Sequence, residues 1–219
     1  ALKRALQMVA EGADIIDVGA ESTRPGATPL TLNEELDRLL PVIEALRQHS
    51  DVPISVDTYK PGVMHEAARL GAGLINDIFA LQKPGALQAA VVADVPVILM
   101  HMSGVPGTMQ DNLNPVEDIC QTVHDFFANR IAACLEAGIN RQRLILDIGF
   151  GFGKTDVHNL SLIQQLDTFL SFELPLAIGV SRKSTIGRVL NQPVDKRLAG
   201  GLALTVYAVK AGARLIRTH

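Results

Sequence analysis

The stretch EAGINRQRLILDIGFGFGK, residues 136–154, contains one unit of a pattern that the whole sequence repeats. A helical pattern ends at Gly138, an apolar run follows at 144–146, and the run ends on Asp147 before a loop of alternating glycines. Glycine suits the left-handed position after a helix, and a short apolar run bounded by such signals is typical of a buried strand. The stretch therefore predicts a helix, a buried strand and a strand-end loop in that order.

The same unit recurs along the chain. Seven apolar runs lie at 14–19, 53–58, 74–78, 96–102, 144–149, 175–181 and 214–219, and helical patterns separate them at 32–49, 61–71, 84–93, 115–137, 156–170 and 196–211. Strict alternation of strand and helix predicts parallel strands joined by right-handed crossovers. Strands one, three, five and seven follow a helix-ending glycine, whereas strands two, four and six are entered through DVP, DVP and ELP. A proline at the first residue of a strand removes no ladder donor, so both entrances favour one repeated architecture.

Two α/β architectures compete, an open doubly wound sheet and a closed eight-stranded barrel. The sequence opens on a helical pattern, LKRALQMVAEGA, and closes on the strand RLIRTH. We therefore expect a (β/α)₈ TIM barrel that lacks the first strand and the last helix, as a single domain over residues 1–219. The pattern at the start also indicates that the chain begins downstream of its natural start.

Composition limits the classes of partner. The net charge is -3 and like charges form no long run, so there is no basic footprint for nucleic acid and no polybasic membrane patch. Neither an 18-residue apolar run nor a signal-peptide pattern is present. Cys120 and Cys134 lie on one predicted helix roughly 21 Å apart, too far to pair. Two lone thiols favour a cytoplasmic location, and the expected partner is a small molecule.

Polar side chains collect at the carboxyl ends of the predicted strands, where both architectures place their chemistry. They are Asp17, Asp57, Asn76, Asp77, His101, Asp147, the group at 181–184, Arg217 and His219. A single acid at a strand end often only caps the next helix. For Asp17 and Asp77, each taken singly, this explanation has the same weight as a functional role. Three such residues on three different strands, as with Asp57, Asn76 and Asp147, favour a shared pocket. His101, between two methionines, is interpreted as a structural histidine with its hydrogen bonds satisfied.

The alternation of side chains along a strand sorts these candidates, although it leaves open which face points inward. The predicted groups are Arg217 with His219, Gly179 with Ser181 and Lys183 against Arg182, Asn76 with Ile78 against Asp77, and Met100 against His101.

Two loops are candidates for ligand contact. GFGFGKT is not a phosphate loop, because Ile148 and Lys154 stand where the two known glycine patterns require glycine. Its glycines instead allow Phe150 or Phe152 to approach a ligand. In ESTRPGAT, Thr23 and Arg24 offer a hydroxyl and a bidentate anion donor on a loop of the kind that often forms a lid. No HExxH or CxxC pattern is present, so a protein metal cage is not expected.

Two acids, an amide and a lysine suit a flat heterocycle with a guanidine-like donor edge, because carboxylates accept paired N–H donors. Arg217, His219 and Arg24 would hold several negative charges, as in a phosphate or pyrophosphate group. Phe152, with a helix N-terminus at Ser184, would hold a second, anionic aromatic substrate.

The motifs resemble those of a known family. GAESTRPGAT, ISVDTYKP, LINDI, ILMHMSGVPGTMQ, LILDIGFGFGK, GVSRKSTIG and IRTH are similar, in this order and across essentially the whole chain, to motifs of the dihydropteroate synthases, pterin-binding enzymes of folate biosynthesis. The resemblance implies a transferase that condenses 7,8-dihydropterin-6-ylmethyl diphosphate with 4-aminobenzoate and releases pyrophosphate with the help of Mg²⁺. It also implies a homodimer and inhibition by sulfonamides, which mimic aminobenzoate.

The resemblance further implies a role for each matching residue. The pterin would contact Asp57, Asn76, Ile78, Met100, Asp147 and Lys183. The diphosphate would contact Thr23, Arg24, Arg217 and His219, and aminobenzoate would contact Pro25, Phe152, Lys183 and Ser184. The catalytic residues would be Asp57, Asp147, Lys183 and Arg217. The family's Mg²⁺ ligand lies in its first strand, so no metal ligand is expected within this chain.

One position departs from the family and two rival functions remain. Ile148 replaces the proline of the usual DPGFGFGK, next to Asp147. The first rival is a pterin-binding methyltransferase module that passes a methyl group from methylfolate to a corrinoid. It has no diphosphate to bind, so the SRKS group with Arg217 and His219 argues against it. The second is a non-catalytic fragment of the synthase, motivated by the terminal elements that we expect to be missing.

Overall fold

A single sheet of seven parallel strands organises the protein. The computed structural model describes residues 1–22, 28–105, 108–109 and 118–219. The strands are β1 (Ile16–Val18), β2 (Ile54–Asp57), β3 (Leu74–Asp77), β4 (Val97–Met100), β5 (Leu144–Asp147), β6 (Leu176–Ile178) and β7 (Ala213–Ile216). Their order in the sheet is their order in the chain, and each pairs in parallel with the next.

This order separates the two expected architectures. A doubly wound sheet reverses its strand order at a switch point, whereas a barrel adds strands consecutively around an axis. Arg217 follows β7 and forms an ion pair with Asp17 of β1, so the two edges of the sheet curl towards each other. The prediction of a barrel-type α/β fold is therefore confirmed, with the seven strands forming part of such a barrel.

Helices connect the strands, largely where the periodicity predicts them. They are α1 (Leu2–Ala10), α2 (Leu32–His49), α3 (Pro61–Arg69), α4 (Ala86–Ala93), α5 (Ile119–Glu136), α6 (Asp156–Gln164), α7 (Ser184–Leu190) and α8 (Leu198–Lys210). Thr31 caps α2 through a reciprocal pair of bonds with Glu34, and Thr155 caps α6 by accepting from the His158 N–H. The helix predicted over 156–170 is too long, because α6 ends at Gln164 and a 3₁₀ helix continues over Leu166–Phe172.

The alternating strand entrances are confirmed. The helix-ending glycines Gly12, Gly71, Gly138 and Gly212 have φ of 98°, 93°, 93° and 103°. The prolines before β2, β4 and β6 use their carbonyl groups in the ladder, accepting from the N–H groups of Ile16, Ile75 and Leu146 at 3.0, 3.0 and 2.9 Å. A strand can therefore begin directly after proline. Proline lacks the N–H donor but keeps its carbonyl acceptor, and at this position the ladder uses the carbonyl.

The sheet separates two apolar layers. Outward side chains such as Leu99, Leu146 and Ile178 pack against helices in a large cluster around Phe127. Inside the curl, Leu74, Ile98, Ile145 and Ala177 form a smaller cluster, with Leu215 against it. Within the described residues, no helix is long and apolar enough to cross a membrane.

Candidate active site

The inner apolar cluster decides which face of each strand looks into the barrel. Each of its five residues has a counterpart two positions later in the chain, on the strand or just past its end. These counterparts are Asn76, Met100, Asp147, Gly179 and Arg217. All five line a single cavity of about 820 Å³ at the carboxyl ends of the strands. Because side chains alternate along a strand, residues two apart point to the same face. The interior is therefore apolar at the inner cluster and becomes a polar pocket two residues further along each chain segment.

Most of the predicted site residues meet in this cavity. Its lining includes Asp57, Asn76, Ile78, Met100, Asp147, Phe152, Lys183, Ser184, Arg217 and His219. Thr23, Arg24 and Pro25 lie outside the described residues. Asp17, Glu21 and Arg197 also line the cavity and were not predicted to contact a ligand.

Two carboxylates that are largely shielded from solvent form the floor of the cavity. Asp147 at the end of β5 accepts the Gly149 N–H on Oδ1 at 2.8 Å, which orients the carboxylate. Asp57 at the end of β2 has Oδ2 3.9 Å from the Arg217 Nη2. Burial raises the pKa of Asp147, while burial and the charge of Asp17 raise that of Asp57. The floor is therefore a desolvated acceptor surface whose charge a ligand with N–H donors would stabilise.

The neighbours of the floor residues point away from the cavity, as the alternation predicts. Asp77 is fully buried and accepts the N–H groups of Phe79 and Leu81, both at 2.8 Å, so its role is to shape the following loop. His101 packs edge-on against Phe126 with ring centroids 4.8 Å apart. Burial lowers the pKa of His101 to about 3, so its ring is neutral at physiological pH.

The structural interpretation of His101 holds for packing but not for hydrogen bonding. Among the described residues, its Nδ1 has no hydrogen-bond partner, so the prediction that its hydrogen bonds are satisfied is not met there.

Lys183 reaches the cavity through a turn at the end of β6. Arg182 adopts the left-handed conformation at φ 59°, and Lys183 then occupies the N-cap position of α7. The Lys183 Nζ lies 3.9 Å from the centroid of the Phe152 ring, a cation–π contact. Burial lowers the pKa of Lys183 to about 8.

Arg182 corrects the prediction from strand alternation. It also lines the cavity, together with Ser181 and Lys183, because β6 ends at Ile178 and strand alternation no longer applies in the turn. Arg197 holds this turn by donating from Nη1 to the Arg182 carbonyl at 3.1 Å. Sequence analysis missed Arg197, whose position at the N-cap of α8 gave no signal for a contact with a preceding loop.

Arg217 and His219 form the rim. The Arg217 Nε donates to Asp17 Oδ2 at 2.7 Å, and Asp17 Oδ1 accepts from Ser55 Oγ at 2.7 Å. The His219 Nδ1 lies 3.0 Å from Ser181 Oγ. Asp17 therefore orients the guanidinium rather than capping a helix.

The glycine loop after β5 packs directly on the loop after β4. Gly149 and Gly153 have φ of 65° and 63°, and a Cβ on either would lie 1.8 or 1.9 Å from the carbonyl oxygen of His101 or Ser103. Only glycine allows this backbone contact. Phe150 is buried by the contact, so Phe152 is the phenylalanine of this loop with the more accessible ring.

A second lysine-centred cluster adjoins the cavity at Glu21. The Lys60 Nζ contacts carboxylate oxygens of Glu21 and Glu35. Glu21 also accepts from Tyr59 Oη at 2.7 Å and from the Leu30 N–H at 3.0 Å. Burial opposes the charge on Lys60, but the bonds to Glu21 and Glu35 raise its pKa above the usual value. The cluster thus joins the chain at Glu21 and Leu30 to the start of α3.

The Mg²⁺ that the resemblance implies has no cage among the described side chains. No group of three or more His, Cys, Asp and Glu residues is placed there to hold a metal ion. Asp17 and Asp57, the acidic pair nearest the rim, are both directed at Arg217.

Known proteins are similar to this chain in sequence and fold. The family model described as "Pterin binding enzyme" matches residues 1–219. The dihydropteroate synthase of Escherichia coli K12 is 51% identical over 219 residues, which is 100% of this chain and 77% of that protein.

Two solved structures extend the comparison. The dihydropteroate synthase of Yersinia pestis, in complex with a sulfonamide drug, superposes with a TM-score of 0.96 at 49% identity, covering 100% of this chain and 79% of that one. The enzyme from Xanthomonas albilineans, in complex with 7,8-dihydropteroate, superposes with a TM-score of 0.90 at 39% identity over 100% and 78% of the two chains.

Proposed function

The chain belongs to the pterin-binding enzyme family and, at 51% identity over its whole length, to the dihydropteroate synthases within it, and from this membership we propose the reaction that its pocket performs. The protein condenses 7,8-dihydropterin-6-ylmethyl diphosphate with 4-aminobenzoate, and the products are 7,8-dihydropteroate and pyrophosphate. One observation carries the proposal: three surfaces meet in a single cavity. They are a hydrogen-bond-acceptor floor (Asp57, Asn76 and Asp147), a rim (Arg217 and His219) and an aromatic wall (Phe152).

The floor suits the pterin ring. A carboxylate accepts two parallel N–H donors from a guanidine-like edge, and Asp147 is already oriented for this by the Gly149 N–H. Asn76, only 7% exposed, can both donate to and accept from the ring. Ile78 and Met100 supply apolar contact for the flat faces, and the absence of a side chain at Gly179 leaves room beside Arg217.

The rim suits the leaving group. Arg217 and His219 lie at the cavity mouth, where the diphosphate of a pterin seated on the floor would extend. Thr23 and Arg24 are assigned to the same group on the resemblance alone. Fixed cations aimed at the departing oxygen stabilise charge as it develops, which is the most effective form of electrostatic catalysis.

The wall suits the second substrate. Phe152 offers a ring face, and Lys183 lies between that ring and the floor carboxylates. Ser184 and Pro25 complete the aminobenzoate site on the resemblance. Lys183 thus bridges the two substrates.

The chemistry follows from these three surfaces. The C–O bond between the pterin methylene and the diphosphate breaks first, with Arg217 and His219 stabilising the pyrophosphate. The carboxylates of Asp57 and Asp147 stabilise the pterin cation that remains. The neutral amine of aminobenzoate then forms the new C–N bond and loses a proton to solvent, so the site requires no strong general base.

We propose four further features. We infer a homodimer because α8 exposes Leu198, Leu202 and Val206 along one helical face. Mg²⁺ would act with the diphosphate oxygens, and the enzyme would work in the cytoplasm. Sulfonamides would occupy the aminobenzoate wall, as expected from the sulfonamide complex of the Yersinia pestis relative.

The decisive assay mixes the two substrates with Mg²⁺ and follows both pyrophosphate and dihydropteroate. We expect the two products in equal amounts and neither one without aminobenzoate. The Lys210→Met variant, altered far from the cavity at the end of α8, is the matched control and should behave as the wild type. Tight binding of the pterin diphosphate without product would support the non-catalytic alternative and refute the proposal.

A further inference from the structure

Lys154 is a buried lysine that the reaction described above does not use. Its side chain is 1% exposed, and its Nζ donates to the carbonyl groups of His101, Gly149 and Phe152 at 3.1, 3.0 and 3.1 Å. Buried lysines normally pair with a carboxylate, yet within the described ranges Lys154 forms no ion pair. Burial disfavours the charged form of Lys154 and lowers its pKa to about 7. Burying this amine therefore costs stability, and its three hydrogen bonds offset that cost.

The three carbonyls belong to two different loops. His101 follows β4, whereas Gly149 and Phe152 follow β5. Gly149 and Gly153 also pack closely on the backbone of His101 and Ser103, so the same two loops are in contact at both ends of the turn. Lys154 lies between the two loops. Its ammonium is therefore a junction that holds the β5 loop on the β4 loop.

The junction acts on the aromatic wall through the backbone of Phe152. The Phe152 N–H donates to the Gly149 carbonyl at 3.0 Å, and Lys154 binds the carbonyls of both residues. With the turn held at both ends, the ring is placed 3.9 Å below the Lys183 Nζ. A Cβ on Gly151 would lie 3.2 Å from the Lys183 Cδ, so the turn also limits where that lysine can lie.

We propose that Lys154 is the positioning residue of the second-substrate wall: by joining these carbonyls it fixes Phe152 against Lys183 and so sets the affinity for 4-aminobenzoate. Lys154 lies outside the cavity lining, whereas Gly149, Gly151 and Phe152 belong to it. The inference rests on the proposed function and adds a residue to it.

The test is a selective loss of one substrate. Lys154→Met keeps the length of the side chain and removes its donors. We expect the KM for aminobenzoate to rise about tenfold, which corresponds to about 1.4 kcal/mol of binding free energy. The Kd for the pterin diphosphate, measured by calorimetry without aminobenzoate, should change less than about threefold. Asp57, Asn76 and Met100 stand on other strands, and Asp147 is held by the Gly149 N–H, a group that Lys154 does not bind. Lys210→Met should change neither value.

A double-mutant cycle separates positioning from a general structural role. Phe152→Leu is made in the wild type and in Lys154→Met. If Lys154 acts through Phe152, the double variant has about the same aminobenzoate KM as the weaker-binding single variant. If the two effects multiply, or if Lys154→Met weakens both substrates equally, the inference is wrong.

A second variant covers a failure to fold. Lys154→Arg retains a cationic donor but is longer, so it should displace the turn and raise the aminobenzoate KM with the pterin Kd unchanged; unchanged values for both substrates would overturn the inference. A wild-type protein that makes no dihydropteroate refutes the proposed function, whereas an active wild type with no selective effect at Lys154 refutes this inference alone.

Discussion

The floor and the rim of the cavity are built on opposite principles. Asp57, Asn76 and Asp147 lie at the carboxyl ends of three strands and are largely shielded from solvent, and burial raises the pKa of both acids. At the rim, the Arg217 side chain is 49% exposed and is held by a carboxylate on the opposite edge of the sheet. The same barrel end thus presents a desolvated acceptor surface beside a hydrated cationic one.

The difference matches what each surface must do with a ligand. Hydrogen bonds that select one heterocycle gain strength and specificity when water is excluded. Pyrophosphate must leave the site as a multiply charged anion. Its attraction to the rim has to be screened by solvent, because an unscreened attraction would prevent the product from dissociating. The floor therefore determines which ring binds, and the rim determines how readily the bond breaks.

The largest effect is expected at the floor. Asp147→Asn replaces an acceptor with an amide that presents N–H groups to the donors of the ring, leaving buried donors unpaired. We expect turnover to fall by about a thousandfold or more, as in sites that lose a paired polar contact, with the pterin affinity lost as well. Calorimetry with the pterin and a thermal melt close to that of the wild type would establish this. Full activity in a folded Asp147→Asn protein would sink the assignment of the floor.

The next effect is expected at the rim. Arg217→Ala removes a cation from the departing diphosphate, and turnover should fall by about a hundredfold. The affinity for the same dihydropterin without its diphosphate should fall by less than about fivefold, because the acids of the floor remain. If the plain pterin is lost together with turnover, floor and rim are not separate surfaces and the comparison fails.

A smaller effect is expected at the wall, which belongs to neither surface. Phe152→Leu keeps apolar bulk but loses the ring face beneath Lys183, a contact of about 1–2 kcal/mol. Steady-state assays should give an aminobenzoate KM about tenfold higher, with the pterin diphosphate Kd unaltered. An equal change for both substrates would place Phe152 with the floor instead.

The smallest effect concerns pH. Burial lowers the pKa of Lys183 to about 8, so the cation beside the floor is lost as the pH rises through that value. Since kcat/KM for the pterin diphosphate reports ionisations of the free enzyme, it should fall about fourfold between pH 7 and 8.5. Lys183→Gln lowers activity at all pH values but should remove this descending limb. A wild-type profile that stays flat to pH 9 would show that the charge of Lys183 plays no part.

Much of the fold could be predicted because its determinants are local. The glycine after each helix and the proline before alternate strands are backbone requirements that a sequence displays directly, as at Gly138 and Pro175. The strand alternation also separated Asn76 from Asp77 correctly. Which of them faces the barrel interior followed only from the packed inner cluster around Ile98 and Ile145.

The missed parts of the site depend on contacts between distant loops. Arg182 joins the cavity lining because β6 stops at Ile178, a boundary that the run PLAIGVS does not reveal. Lys154 bonds to His101, 53 residues earlier, and Lys60 to Glu21, 39 residues earlier. The signal available for Lys154 was a lysine directly after three alternating glycines, which reads as a solvated loop until the second loop is placed against it.

The central claim is that one cavity seats the pterin on the floor and its diphosphate at the rim. A crystal structure of the protein with 7,8-dihydropterin-6-ylmethyl diphosphate, or with a non-hydrolysable analogue, tests it directly. The account predicts the ring edge on Asp147, with Asp57, Asn76 and Lys183 in contact, and the phosphates at Arg217 and His219. A ring bound away from Asp147, or phosphates bound elsewhere than at Arg217, would contradict it.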